Sequence, residues 1–138
     1  MSRRVDRKHA FAVVFGFEFK GADECDTADD LTYYLECFAE TGVSEPDFVL
    51  GEVQGVYANL EAIDKHIGET ADSWEIARIA KADMAIMRLA VYEMMFAADI
   101  AASVSINEAV ELAKEFSTEE SGKFVNGVLG KIARKLAV

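Results

Sequence analysis

One apolar pattern constrains the fold of this chain more than any other feature. Between Pro46 and Ile67, apolar residues recur at alternating steps of four and three, at Val49, Val53, Val56, Leu60, Ile63 and Ile67. These steps follow the turn of an α-helix and not the two-residue period of a strand. The pattern therefore predicts one long helix over residues 46–67 with an apolar stripe facing a core.

The same period continues along most of the chain, and no strand-like alternation or internal repeat competes with it. A length of 138 residues is close to that of one typical domain, so residues 1–138 are predicted to form a single domain. The fold class expected is all-α with about seven helices. They cover roughly residues 4–19, 28–42, 46–67, 74–79 and 83–97, followed by two that begin at Ser105 and Ser117.

Two serines are predicted to begin helices, since Ser105 with Glu108 and Ser117 with Glu120 fit the S-x-x-E capping box. In such a box each side chain bonds a free backbone N–H at the helix start. Gly127 and Gly130 lie inside the last predicted helix, where each glycine costs about 1 kcal/mol relative to alanine. Their presence predicts a neighbouring helix that approaches closely there. Close packing inside the domain is likewise expected for Gly51 and Gly55.

The cellular compartment is inferred from the cysteines and from hydropathy. Cys25 and Cys37 occur in a chain without a secretory pattern, so both are expected to be reduced thiols. No uncharged apolar run reaches the roughly 18 residues that a membrane helix needs. We therefore expect a cytoplasmic protein that makes no membrane contact.

Charge is distributed unevenly along this acidic chain, whose net charge is −11. Residues 1–8 hold four basic residues against one acidic residue, and residues 123–138 hold four basic residues and no acidic one. Residues 9–122 hold six basic and twenty-four acidic residues. Cations at a helix start oppose the helix dipole, which favours an anionic partner at the N-terminal cluster. The C-terminal cations fit either a phosphate contact or simple compensation of a helix C-terminus.

Catalytic chemistry is not indicated by any motif. His9 and His66 lack a second ligand at zinc-binding spacing, and Gly122-Lys123 lacks the serine or threonine and the earlier glycine of a phosphate loop. The acidic pairs, such as Asp29 with Asp30, are expected on a solvated surface. The sequence therefore predicts a protein that is not an enzyme and that has no catalytic residues, no metal site and no cofactor.

Two stretches carry a resemblance to a known family. They are Ile106-Asn107-Glu108-Ala109-Val110-Glu111-Leu112-Ala113-Lys114 and Lys123-Phe124-Val125-Asn126-Gly127-Val128-Leu129, which together resemble the paired signature of the NusB family. The opening Arg3-Arg4-Val5-Asp6-Arg7-Lys8-His9-Ala10-Phe11 is similar to the family's arginine-rich first helix. Arg88-Leu89-Ala90-Val91-Tyr92-Glu93 is similar to its central helix.

The resemblance implies two small helical bundles and a factor of bacterial transcription antitermination. Such a protein binds the single-stranded boxA segment of ribosomal RNA leaders together with the ribosomal protein NusE, and through them meets other Nus factors and RNA polymerase indirectly. RNA contacts carry over to Arg3, Arg4 and Arg7 and to Lys123 and Phe124. Asp83 stands at a position similar to a NusE contact, within an acidic middle segment that would complement a basic protein.

Charge and aromatic chemistry extend this set of candidate residues. Lys8 belongs to the N-terminal basic cluster, and Phe15 is a candidate base platform whose alternative is a place in the core. Arg7 and Lys123 are expected to be exposed, so that reversing either charge leaves folding stability nearly unchanged. Asp6 interrupts the basic opening and is expected to lower its local charge.

Two rival functions remain open at this point. One is a helical module that forms a homodimer and never touches RNA. The other is a NusB-type RNA-binding relative in ribosomal RNA maturation, acting as a stand-alone binder because no glycine-rich cofactor loop follows a strand.

Overall fold

The computed structural model describes residues 3–17, 45–71 and 78–138, and all of the regular structure in these ranges is helical. The chain divides into two compact units, Met1–Ala58 and Asn59–Val138. The all-α prediction is confirmed. The predicted helix over residues 28–42 and both cysteines lie outside the described ranges, as do most residues of the predicted helix 74–79. That residues 1–138 form a single domain stays a prediction.

The described part of the first unit consists of two packed helices, α1 (Arg3–Phe17) and α2 (Pro46–Ala58). Pro46 stands at the first helical position, where its missing N–H costs nothing. Ala10, Phe11 and Val14 of α1 are buried together with Val49, Val53 and Val56 of α2. The Tyr57 hydroxyl donates a hydrogen bond of 3.4 Å to the Val14 carbonyl oxygen across the pair.

The second unit contains α3 (Leu60–Thr70), α4 (Lys81–Phe96), α5 (Ala102–Phe116) and α6 (Glu119–Leu136). Its centre is α4, which is buried on nearly every side and packs against the other three helices. Met84, Met87 and Met94 are among its buried residues and belong to the core of this unit. The helices α5 and α6 also pack against each other, and their shared surface forms one wall of this unit.

The predicted helix over residues 46–67 is two helices in the structure. The break lies at Asn59, whose φ of −124° and ψ of 21° are not helical, and its carbonyl oxygen accepts from the Ile63 N–H that starts α3. Asn59 occupies the N-cap position of α3, but its side chain makes no capping hydrogen bond there. The apolar stripe continues across the break, so periodicity alone did not reveal it.

The two predicted capping boxes are wrong in detail. The helix α5 begins three residues before Ser105, which is buried and donates its hydroxyl to Glu93 Oε1 at 2.8 Å. The cap of α6 is Thr118, whose side-chain oxygen accepts from the Ser121 N–H at 2.9 Å, while the Ser117 and Ser121 hydroxyls pair at 2.8 Å. Ser105 bonds Glu93 of the preceding helix in place of a backbone N–H at the helix start. At the start of α6, Thr118 caps the helix in place of Ser117.

The predicted close packing at helical glycines is also wrong at three positions. A β-carbon added to Gly51 or Gly127 would meet no atom of the described residues within 4 Å, and one added to Gly130 would meet only the Arg134 guanidinium. The close approach is instead at Gly122, where the added atom would lie 3.2 Å from Lys114 Cγ.

Candidate nucleic-acid interface

The four cations of the N-terminal cluster differ in exposure at the start of α1. Arg3 and Arg4 are exposed and Lys8 is partly exposed, whereas Arg7 is only 7% exposed. The expectation that Arg7 is a surface charge is therefore wrong, because the first unit packs around it. Its contact with RNA stays a prediction.

An aromatic ring from α2 holds two of these arginines together. The Arg3 guanidinium lies 4.2 Å from the centre of the Phe48 ring, and that of Arg7 lies 5.6 Å from the same centre. A guanidinium within about 6 Å of a ring centre is attracted by the ring's electrons. Arg3 also forms a 2.7 Å ion pair with Glu45, whose side chain is more than half exposed. Phe48 thus contacts two guanidinium groups at one end of the first unit.

Asp6 has a structural task in addition to its charge. It is fully buried and accepts a 3.0 Å hydrogen bond from the Glu45 backbone N–H, directly before α2. A carboxylate at that place also complements the positive end of the helix dipole. Asp6 therefore ties α1 to the start of α2 and is more than an interruption of the basic cluster.

Phe15 is neither fully buried in the core nor fully exposed as a platform for a base. Its ring stacks on that of Phe11, with centres 5.5 Å apart and planes within 7°, and Phe11 is buried while Phe15 is partly exposed. The ring is thus anchored to the core on one side. A role in stacking a base stays a prediction.

Lys123 and Phe124 are consecutive residues of α6, yet they line different grooves of the second unit. Lys123 borders a groove between α5 and α6, named here the Lys114 groove. Phe124 borders a groove between the start of α4 and α6, named here the Phe124 groove. Successive helical residues point about 100° apart, which explains the divergence.

The Phe124 groove has a volume of about 380 Å³ and combines an aromatic ring with a carboxylate. Phe124 is partly exposed, and Asp83 is 5% exposed and accepts from the Ser121 hydroxyl at 3.1 Å through Oδ2. The other carboxylate oxygen, Oδ1, is buried without a hydrogen-bond partner among the described residues. The groove is therefore lined by an aromatic ring and by a carboxylate that is itself almost fully shielded from solvent.

Asp83 does not stand on an open acidic surface, contrary to what its predicted partner contact suggested. Burial raises the pKa of the Asp83 carboxyl, and hydrogen bonds from the Ser121 and Ser117 hydroxyls partly offset that rise. A direct contact with a basic protein stays a prediction, and the structure places this carboxylate beside Phe124.

The Lys114 groove is larger, at about 590 Å³, and its lining is richer in cations and amides. Lys123 at its border has a side chain that is 77% exposed, and its only ion pair among the described residues is a 3.7 Å contact with the exposed Glu120. Such an exposed pair contributes little, so the Lys123 ammonium remains accessible to a phosphate. The remaining lining residues are Ser103, Ile106, Asn107, Val110, Lys114, Glu119, Gly122 and Asn126.

Two of the other C-terminal cations have a structural explanation. Arg134 and Lys135 lie in the last turn of α6, where positive charge complements the helix dipole, and Lys135 pairs with Glu69 at 2.9 Å. Lys123 is thus better placed for RNA than Arg134 or Lys135.

Two absences concern only the described ranges. No described helix is long and apolar enough to cross a membrane. No group of three or more potential metal-ligating side chains comes together in residues 3–17, 45–71 and 78–138.

Several residues of these surfaces were not singled out from the sequence. Phe48 and Glu45 follow no motif, and only the packing of α1 on α2 reveals their contact with the arginines. Asn107 and Asn126 lie within the two stretches that resemble the NusB signature, so the signal was present, but no role had been assigned to them.

Comparison with known proteins supports the resemblance over nearly the whole chain. The model of the NusB family matches residues 4–134. The transcription antitermination protein NusB of Acetivibrio thermocellus is 41% identical over 135 residues, which cover 97% of this chain and 90% of the relative. That of Carboxydothermus hydrogenoformans is 40% identical over 139 residues, covering 99% and 95%. These names denote transcription factors and not enzymes, as the sequence had predicted.

Solved structures show the same fold. A structure of T. maritima NusB superimposes with a TM-score of 0.85 at 35% identity, covering 98% of this chain and 92% of that one. A structure of the antitermination factors NusB and NusE in complex with double-stranded RNA gives a TM-score of 0.81 at 24% identity, covering 96% of each chain. At that identity the second likeness supports the fold alone.

Proposed function

Because this chain belongs to the NusB family, we propose that it acts in transcription antitermination by binding boxA RNA of ribosomal RNA leaders together with the ribosomal protein NusE. The observation that carries the proposal is the surface around the start of α6. There Lys123, whose ammonium is accessible, and the partly exposed Phe124 are consecutive residues that border two different grooves on either side of the helix.

This surface fits an unpaired nucleotide. Single-stranded RNA is recognised by aromatic side chains that stack a base and by polar groups that bond its edge, while cations neutralise the phosphates. Phe124 supplies the ring and Lys123 meets a phosphate, while the Asp83 carboxylate lies buried in the lining of the Phe124 groove. At the start of α1, Arg3, Arg4 and Lys8 supply further cations, and Phe15 near the end of the same helix is a second stacking candidate.

The acidic remainder of the chain fits a basic protein partner. Charge complementarity raises encounter rate and specificity, and a partner that covers acidic surface also weakens the field that repels RNA. NusE and RNA should then bind cooperatively, and each must strengthen the other by the same factor. Reciprocal calorimetric titrations, with each ligand alone and with the other saturating, measure that factor. Equal affinities in both conditions would leave two independent surfaces.

The central test is a mobility-shift titration of a boxA oligonucleotide with Lys123→Glu and Phe124→Leu proteins. Lys65→Glu on α3 is the matched control, since it is exposed and changes net charge equally. We expect both α6 variants to weaken RNA binding and the control to retain it. Wild-type affinity should fall with salt by about 0.7 logarithmic units per neutralised phosphate per decade of salt. A flat salt response contradicts the proposal.

The N-terminal cluster is tested with Arg4→Glu and not with Arg7→Glu, because Arg4 is exposed and Arg7 is buried. An Arg4→Glu protein should unfold at nearly the wild-type temperature and bind boxA RNA more weakly. Unchanged binding would remove the N-terminal cluster from the interface.

The rival homodimeric module makes the opposite prediction. It requires unchanged mobility of the oligonucleotide at low salt together with a dimer in sedimentation. Read-through of a terminator on a boxA template, with purified Nus factors and RNA polymerase, tests the antitermination role itself.

A further inference from the structure

The helix α6 presents two different chemical surfaces on roughly opposite sides. Its positions in the Lys114 groove are 119, 122, 123 and 126, and those in the Phe124 groove are 120, 121 and 124. With 3.6 residues per turn, the centres of these two sets lie about 150° apart around the helix axis. The proposed function uses the Phe124 groove and Lys123 at the border of the Lys114 groove. It assigns no role to the other residues of the Lys114 groove.

Cations and carboxylates are separated around α5, which forms the other wall of this groove. The positions 103, 106, 107, 110 and 114 form one stripe, in which Lys114 is the only charged residue. Glu108, Glu111 and Glu115 lie at least about 80° away from the stripe's centre around the helix. Lys114 and Lys123 thus outweigh Glu119 in a groove of an otherwise acidic protein, which favours a polyanionic occupant.

The polar groups of the groove are suited to reading a base. Asn107 and Asn126 are exposed, and their carboxamides make no hydrogen bond within the described part of the chain. A carboxamide offers a donor and an acceptor together, the combination that pairs with base edges. Ile106 and Val110 add apolar surface for the face of the base, and the groove volume of about 590 Å³ is in the usual range for small-ligand sites.

Gly122 sets where Lys114 lies along the groove. A β-carbon at this position would come within 3.2 Å of Lys114 Cγ and 3.6 Å of Lys114 Cε. The lysine stem therefore lies against the bare backbone of α6, with its ammonium beyond it. A cation is thereby held next to the carboxamides and across the groove from Lys123.

Gly127 lies on α6 at an angle between Lys123 and Phe124, and it is exposed. No atom of the described residues comes within 4 Å of the β-carbon that another residue would carry there. A glycine inside a helix costs about 1 kcal/mol relative to alanine, and packing against the described chain does not require it. Such a bare position allows a ligand backbone to approach closely.

We propose that the Lys114 groove holds a second nucleotide of the single-stranded RNA whose neighbouring segment stacks on Phe124, with the strand crossing α6 over Gly127. This inference rests on the proposed RNA-binding function. Asn107 and Asn126 bond the edge of the second base, and Lys114 and Lys123 neutralise the phosphates beside it. The RNA site thereby extends onto the side of α6 opposite Asp83.

The test is a fluorescence-anisotropy titration of a boxA oligonucleotide with three proteins: wild type, Asn107→Ala/Asn126→Ala and Lys114→Gln. The amide variant should lose about tenfold in affinity with an unchanged salt slope, since it removes no charge. The Lys114→Gln protein should bind more weakly with a salt slope about 0.7 shallower. Lys65→Gln on α3 is the charge-matched control and should behave as wild type.

Shortening the RNA separates a local contact from a general effect. An oligonucleotide trimmed until only the Phe124 groove is engaged should bind the wild type and the amide variant equally. In ¹⁵N-labelled protein, the side-chain NH₂ signals of Asn107 and Asn126 should shift with the longer RNA and not with the trimmed one. Thermal unfolding of each variant confirms that the fold is intact.

The outcomes distinguish this inference from the function on which it rests. If the wild type fails to bind RNA at all, the proposed function fails first. If the wild type binds, Phe124→Leu weakens it and the amide and Lys114 variants do not, the second nucleotide site is excluded. Amide signals that respond to NusE and not to RNA would assign the groove to a protein and overturn the proposal.

Gly127→Ala tests the crossing of the RNA strand over Gly127, because it should change stability and RNA affinity in opposite directions. Alanine should strengthen the helix while placing a methyl group in the path of the strand, so stability should rise as RNA affinity falls severalfold. A variant that is more stable and binds RNA as tightly as wild type would contradict the crossing over Gly127.

Discussion

The Asp6 carboxylate of α1 accepts a 3.0 Å hydrogen bond from the Glu45 backbone N–H, the last residue before α2. Their positions differ by 39 in sequence, so this bond joins two distant segments of the chain within the first unit. The bond also places Glu45 beside Arg3. The Glu45 carboxylate is the only anion among the described residues that pairs with Arg3.

Replacing Asp6 with alanine should destabilise the protein by about 1 to 3 kcal/mol, because a fully buried acceptor and its charge are lost. Urea unfolding followed by circular dichroism measures the change. Asp47→Ala is the control, since Asp47 is exposed in the first turn of α2 and should cost less than about 1 kcal/mol. Equal costs would show that only the helix dipole matters at this end.

Replacing Ser105 with alanine should cost a similar amount, about 1 to 3 kcal/mol, because it removes the 2.8 Å donor to a Glu93 that is 2% exposed. Ser103→Ala is the control, since Ser103 lies two residues earlier in α5 and is exposed. It should change stability by less than about 0.5 kcal/mol. Chemical denaturation of both variants gives the comparison. A negligible effect at Ser105 would mean that Glu93 finds a replacement donor.

Two of the three glycines of α6, Gly122 and Gly127, should respond differently to alanine. Gly127→Ala should stabilise the fold by about 0.5 to 1 kcal/mol, because the position is open and helical. Gly122→Ala should gain less, since its β-carbon would meet the Lys114 stem at 3.2 Å and displace it. Unfolding free energies in urea test the order, and a larger gain at Gly122 would show that Lys114 moves freely.

Asp83 should make stability depend on pH in a definite direction. Burial raises the pKa of this carboxyl in the native state above its ordinary value of 3.8, so the native protein holds the proton to a higher pH than the unfolded chain does. The contribution of this group to stability therefore falls as pH rises through the window above 3.8, and it is largest below that window.

The Asp83→Asn protein isolates this effect, because asparagine keeps an oxygen acceptor for Ser121 and carries no charge. At neutral pH it should melt at a higher temperature than the wild type, and the difference should shrink as pH falls toward 3.8. Melting curves at a series of pH values provide the measurement. A wild type that is the more stable protein at neutral pH would indicate a stabilising role for the buried charge.

The sequence alone determined the helical class, the apolar stripes of most helices and the family. These properties are local or nearly so, because a helix repeats every 3.6 residues and its buried face must follow that period. The stripe from Val49 to Ile67 was correct in every buried position that the structure describes except Leu60, which is partly exposed. The resemblance carried by residues 106–114 and 123–129 was equally a property of the chain itself.

Only the tertiary structure decided what individual polar residues do. Ser105 fitted a cap, yet Glu93 from the preceding helix is close enough to take its hydroxyl. Arg7 looked like a surface charge, and the packing of α1 against α2 buried it beside Phe48. Lys123 and Phe124 belong to one motif, but they line different grooves of the folded unit. Lys123 faces α5, and Phe124 faces the start of α4. The burial and the partners of these polar side chains depend on residues distant in sequence, which a local pattern does not identify.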